Sequence, residues 1–180
     1  MTDYFEPLVR EGYEWINCLN QADYEFFAGF DGSPHIAGWN PIPVRRVRAD
    51  SRQAFKPSDF PWLGSRALVM RRSAVDALRD ILDRNGEILP LSTDDGVDLF
   101  VLNARVIDAL DEASSSLTKF PGTNRIMRLK SVAFVPSAIE GVDLFRLPHR
   151  GSATYVSERF VGRVKAAGLH GLAFNLRWSG

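Results

Sequence analysis

Six acidic side chains between residues 94 and 112 form the densest set of chemically capable groups in this chain: Asp94, Asp95, Asp98, Asp108, Asp111 and Glu112. Carboxylates so spaced can ligate a divalent metal, share a proton as an acid–base pair, or present negative charge to a cationic partner. The spacing argues against the first two. Asp94, Asp95 and Asp98 flank an Asp95-Gly96 turn, where aspartate is favoured for backbone reasons alone, and they fit neither an EF-hand loop nor a zinc site. Asp108 and Asp111 read as one helical turn apart, with no apolar pocket in the sequence to raise either pKa. These six are therefore read as a partner-contact surface, with no catalytic, metal or cofactor role assigned.

Other chemistries fail on spacing too. There is no GxSxG elbow, and Cys18 has no Cys or His near it in sequence. His35, His149 and His170 each sit beside Gly or Pro, which reads as turn histidines. No glycine-rich loop leads from a strand into a helix, so phosphate cradling has no support. Arg71 and Arg72 precede a predicted helix start and could hold an anion there, but a solvated face is the simpler reading. One stretch argues for nucleic acid: residues 45–72 interleave eight bases with Phe55, Phe60 and Trp62, suiting phosphate contact plus base stacking.

The zero net charge conceals blocks. Residues 1–44 carry −6, residues 45–72 carry +6, residues 76–112 carry −7 and residues 117–179 carry +7. Opposite blocks that meet in the fold would neutralise one another; left apart, they would steer a charged partner.

The elements that must position these groups follow from periodicity. Tyr24–Phe27 and Val44–Val47 read as short strands in an aromatic, β-rich segment over 1–60, and Lys56–Gly64 reads as a proline-biased hinge. Over 61–180 the pattern sharpens. A strand at Leu68–Met70 leads to a helix with Ser73 as N-cap, an apolar face of Val75, Leu78, Ile81 and Leu82, and a left-handed stop at Asn85-Gly86. Glu87–Thr93 and Val97–Asn103 form a hairpin about Asp95-Gly96, with Pro90 placing the first strand at an edge or bulge. Across Val101–Ser114 an apolar strand changes to helical spacing at Val106, Ile107 and Leu110, with Asn103 and Arg105 at the change. Strands follow at Ile126–Val135, Val142–Leu147 and Gly171–Trp178, with a second helix capped by Ser157 and ended by Gly168. The fold class is α+β: a largely antiparallel sheet with two main helices packed on one side, plus a β-rich irregular N-terminal segment.

A single cysteine allows no intrachain disulfide and suits a reducing compartment. The acidic start MTDYFEP lacks the features of a secretory signal, and no apolar run reaches the length of a membrane span. A cytoplasmic location is expected.

The order of the pieces SAVDALRDIL (73–82), GEILPL (86–91), LNARVIDALDEASS (102–115), RIMRLKSVAF (125–134), EGVDLFRLP (140–148) and YVSERFVGRVKAAGLHGLAF (155–174), ending in LRWS, resembles the eleventh immunity-protein family of bacterial polymorphic toxin systems. The resemblance implies an antidote that binds a cognate toxin domain and occludes its active site. It brings no catalytic residues, and it places partner specificity in the loosely matching residues 1–60. Toxins that cut nucleic acid are commonly basic, so the 94–112 acids are the expected contact. The alternatives are a hydrolase reversing a toxin's modification, which requires a deep polar pocket, and an RNA-binding accessory module using residues 45–72.

Overall fold

A computed structural model describes residues 2–64 and 67–180; Arg66, one of the eight bases of the 45–72 stretch, lies outside the described residues. The fold is α+β with mostly antiparallel sheets. One sheet has five strands: β2 (Trp15–Cys18), β3 (Ile42–Val47), β4 (Leu68–Arg71), β5 (Gly86–Thr93) and β6 (Leu99–Ala104), in the order β2-β3-β5-β6-β4. The other has four, from β1 (Asp3–Val9), β9 (Leu144–Arg146), β10 (Thr154–Ser157) and β11 (Leu172–Ser179), in the order β11-β1-β10-β9. A separate hairpin pairs β7 (Ser116–Lys119) with β8 (Ile126–Ser131). The first sixty residues thus supply the inner strand β1 to one sheet and two strands to the other.

Two helices tie the sheets together. In α2 (Arg72–Asn85), Ala74, Val75, Leu78, Ile81 and Leu82 form one buried stripe at helical spacing. In α3 (Glu158–Ala166), Phe160, Val161 and Val164 do the same. Both stripes enter one core with Leu68, Met70, Leu102, Leu144 and Val156, which come from both sheets. Asp80 of α2 takes Arg159 and Arg163 of α3 at 3.1 and 3.0 Å. The opposite sheet faces are buried as well. Ile16, Val44, Val69, Leu89, Leu99 and Val101 pack beneath α1 (Gln21–Ala28), and Phe134, Phe145, Leu147 and Tyr155 gather around Tyr4. Strands covered on both faces read as continuous apolar runs; in LFVL of β6, Leu99 and Val101 face one core, Leu102 the other.

Several expected details differ. Tyr24–Phe27 lies in α1: Phe27 is buried beneath the helix while Phe26 is left outward, so the aromatic run follows a helical turn instead of a pleat. Val106–Leu110 is not helical. After β6 the chain stays extended and runs parallel to β9, with the Ile107 N–H on the Arg146 carbonyl at 2.9 Å and the Arg146 N–H on that of Arg105 at 2.8 Å. These backbone groups are spent between strands and cannot close helical turns. Ser73 is not the N-cap; its hydroxyl donates to Asp59, and the cap position is Arg71.

Asn85-Gly86 makes no left-handed stop. Gly86 is extended and opens β5 directly, where an added Cβ would lie 2.6 Å from the Asn103 carbonyl oxygen. Pro90 is in an interior strand, at a position tolerated because the parallel pairing with β3 begins one residue later, at Leu91. The 56–64 segment is no free hinge: Ser58 and Phe60 are buried, and the Ile16 N–H donates to the Trp62 carbonyl at 3.0 Å. The strand from Ile126 ends at Ser131. Ser157 does cap α3, accepting the Phe160 N–H at 3.2 Å, and Gly168 follows with φ 64°.

Candidate partner-binding surface

The six acids fall into two groups. Asp94, Asp95 and Asp98 sit on the turn between β5 and β6, whereas Asp108, Asp111 and Glu112 follow the far end of β6, roughly 20 Å of strand away. Each group meets a different fate. The turn acids face arginines of the basic block: Arg45 Nε lies 3.5 Å from Asp94, Arg72 Nη2 lies 3.4 Å from Asp98, and Arg46 binds Asp95. Glu112 takes Lys119 at 2.7 Å, and Asp111 accepts the N–H groups of Ala113 and Ser114, which draw its pKa down together with the Ser114 hydroxyl. Asp108 is exposed.

Burial separates the turn acids further. Asp94 and Asp98 have side chains 61% and 65% exposed, and such pairs contribute little to stability. Asp95 belongs to an interior network built on Glu14, a residue the sequence reading counted only as part of an acidic block. Glu14 is 2% exposed and accepts from Arg46 at 2.9 Å, from Arg71, and from the Ser58 N–H at 3.1 Å. Arg46 then bridges to Asp95, holding that carboxyl below its usual range. The four charge blocks therefore meet through these pairs; of the six acids, Asp94 and Asp98 are in exposed, exchangeable pairs and Asp108 is outward without an ion pair among the described residues.

The other chemistries can be placed. Phe60 is 1% exposed and Phe55 packs on Trp15 at 4.8 Å, so neither ring is offered for base stacking. A cleft of about 480 Å³ is lined by Tyr4, Asp143, Ser157, Glu158 and Arg159, among others, with no histidine among its described residues. Three of its polar groups, Asp143, Ser157 and Arg159, are spent on one another. The Ser157 hydroxyl donates to Asp143 at 2.8 Å while capping α3, and Arg159 takes the other Asp143 oxygen at 2.7 Å. Burial, then Asp143, pushes the Tyr4 hydroxyl up to about 12, so it stays a proton donor to the Ile139 and Val142 carbonyls. Among the described residues no cluster of acids, histidines and cysteine could hold a metal ion, and no helix is long and apolar enough to cross a membrane.

A second outward surface lies over α1 and the loop that follows it. Phe26 and Ile36 are 41% and 57% exposed, beside the half-buried His35 and Trp39. The loop is held from below: the Glu87 carboxylate accepts the N–H groups of His35 and Ile36 at 2.8 and 2.9 Å, Asn103 Nδ2 donates to the Ser33 carbonyl at 2.7 Å, and Trp39 Nε1 donates to the Pro90 carbonyl at 2.7 Å. Reading 24–27 as a strand hid this surface; the signal was the density of rings in YEFFAGF with His35 and Trp39 close behind.

No curated protein matches this chain. Residues 94–176 match a family model, so Asn103 and Arg146 fall inside the match while α1 and its loop fall outside it. That model is the immunity protein family Imm11, the family that the sequence resembles, and the match spans a little under half of the chain.

Proposed function

We propose that this chain is a cytoplasmic, non-enzymatic antidote that binds a cognate bacterial toxin domain and occludes its active site. The match of residues 94–176 to an immunity protein family is the observation that carries the reading. The site geometry agrees with it, because Asp143, Ser157 and Arg159, engaged with one another, suit a rigid binding surface better than a reaction centre. Asp94 and Asp98 are the contact acids of choice. Their pairs with Arg45 and Arg72 are long and solvent-exposed, so cations on a toxin can replace those arginines at small cost, and their charge speeds capture. Asp95 supports the turn from beneath, and Asp108, Asp111 and Glu112 form a secondary acidic site at the other end of β6.

The test is a titration of purified chain into an activity assay of the toxin domain encoded in the neighbouring reading frame. Inhibition that saturates at a fixed stoichiometry supports occlusion. The double change Asp94→Lys with Asp98→Lys is expected to weaken inhibition at least tenfold and to act mainly on the association rate. Catalytic, substoichiometric loss of toxin activity would contradict the reading and favour an enzyme.

A further inference from the structure

We infer that the aromatic groove over α1 is the anchoring pocket of the interface, and that it receives a lysine or arginine side chain of the toxin. This rests on the antidote reading above and specifies the chemistry of the partner. The groove encloses about 670 Å³ and is walled by Phe26, His35 and Trp39, with Asp23 and Ile42 also lining it. Phe26 and Trp39 lie 6.1 Å apart at 33°, and Phe26 meets His35 at 5.6 Å and 61°, so the three rings touch one another and form one aromatic wall of the groove. His35 is itself stacked on the buried Phe30 at 5.4 Å, which keeps that wall from collapsing.

Two independent features select a cation. Aromatic faces attract a guanidinium or ammonium, most strongly where water is displaced. The charge around the slot is of one sign: Asp23 lines it, and no lysine or arginine does. Asp23 is hydrogen-bonded to Asn20 Nδ2 at 3.3 Å and has no basic partner among the described residues. An apolar side chain would fill the slot but leave Asp23 unanswered, whereas a long cationic side chain lays its stem on Ile42 and the rings and brings its charge to Asp23.

The groove also lies near the turn acids. Ile42 pairs with Leu91 and Val44 with Thr93, so Asp94 lies roughly 10 Å further along the sheet. One basic segment of a partner can seat a side chain in the slot and meet Asp94 beyond it. The walls are built from residues outside the family-matched stretch; of their supports, Asn103 and Arg146 lie inside it and Glu87 and Pro90 outside.

The experiment measures binding of the purified toxin domain to the wild-type chain and to three surface variants, Phe26→Ala, Ile36→Ser and Asp23→Asn, each first shown to melt as the wild type does. Phe26→Ala is expected to weaken binding at least tenfold. Ile36→Ser should weaken it severalfold, and Asp23→Asn severalfold with a shallower dependence on salt. Wild-type binding left within twofold by all three variants overturns the groove while the antidote reading stands. Loss with Phe26→Ala but unchanged affinity and salt dependence with Asp23→Asn overturns the cationic occupant. A wild-type chain that does not bind overturns both.

Discussion

Arg146 donates from Nη1 to the carbonyl oxygen of Phe30 at 3.4 Å, joining β9 to the turn after α1 across 116 residues of sequence. The same nitrogen reaches the Phe27 carbonyl at 3.5 Å, and Nε reaches that of Ser152 at 3.2 Å. Arg146 is 2% exposed, and its partners are carbonyls, two of them at the negative end of α1, instead of a carboxylate. Burial lowers its pKa to about 10. For a base, a lowered folded value means the charged form is the one that burial disfavours. That cost is in full force below pH 10 and is relieved only as pH rises from there toward the ordinary guanidinium range.

Replacing Arg146 by Met removes the buried charge but strands three carbonyls, so the two effects oppose one another in overall stability. The local effect has one sign. Amide exchange across residues 27–36 should rise at least tenfold while exchange in α2 stays as it was. Equal exchange in both proteins would show that Arg146 does not hold the turn.

Glu14 anchors two arginines in the interior. Glu14→Gln leaves Arg46 and Arg71 without their buried counter-charge and should cost about 3 kcal/mol, a fall in Tm of roughly 10 °C for a chain of this size. Thermal unfolding followed by circular dichroism reads it directly. A fall under 2 °C would show the network to be replaceable by water.

Acid should unfold the protein through its paired carboxylates. Arg163 and then Arg159 hold Asp80 below its usual range, and Arg46 does so for Asp95. Burial works against Glu87, yet the N–H groups of His35 and Ile36 bring it down on balance. Depressed carboxylates contribute stability that is complete above the ordinary carboxylate range, near pH 4, and is lost as pH falls through the lower folded values. The urea midpoint should therefore drop steadily from pH 4 to pH 2, less so for Asp80→Asn. A midpoint that holds or rises over that interval contradicts these assignments.

Cys18 should be inert. Burial, then Asp23, pushes its thiol up to about 11, and the residue is 8% exposed in the core beneath α1. At pH 8 a disulfide reagent should label the folded protein at least 100-fold more slowly than the urea-unfolded chain. Comparable rates would mean that α1 opens readily.

How far the sequence revealed this structure depended on where the backbone bonds of each segment go. The helical stripes of α2 and α3 are local patterns, and Ser157 with Gly168 marked the ends of α3 because those signals act within one turn. The Ser73 cap failed because Asp59, remote in sequence, competes for its hydroxyl. Val106–Leu110 imitated a helix because its spacing arises from Val106 pairing with Arg146 of β9 and Leu110 with Phe134, partners 40 and 24 residues distant. For the site, the sequence located the acids and the opposing basic block but not which pairs form, since Arg45, Arg46 and Arg72 reach the turn acids only through the fold. The change of period at Asn103 acquires a physical reason: its side chain holds Ser33, and with it the loop that carries His35.

The central claim is that this protein neutralises a toxin by binding it. Co-expression with the toxin domain encoded beside it, scored for growth and for co-purification in the same cells, tests that claim most directly. The account predicts restored growth together with a stable complex that survives purification, and loss of both when Phe26→Ala is combined with Asp94→Lys and Asp98→Lys. Restored growth with no complex recovered, or a complex unaffected by the combined variant, would contradict it.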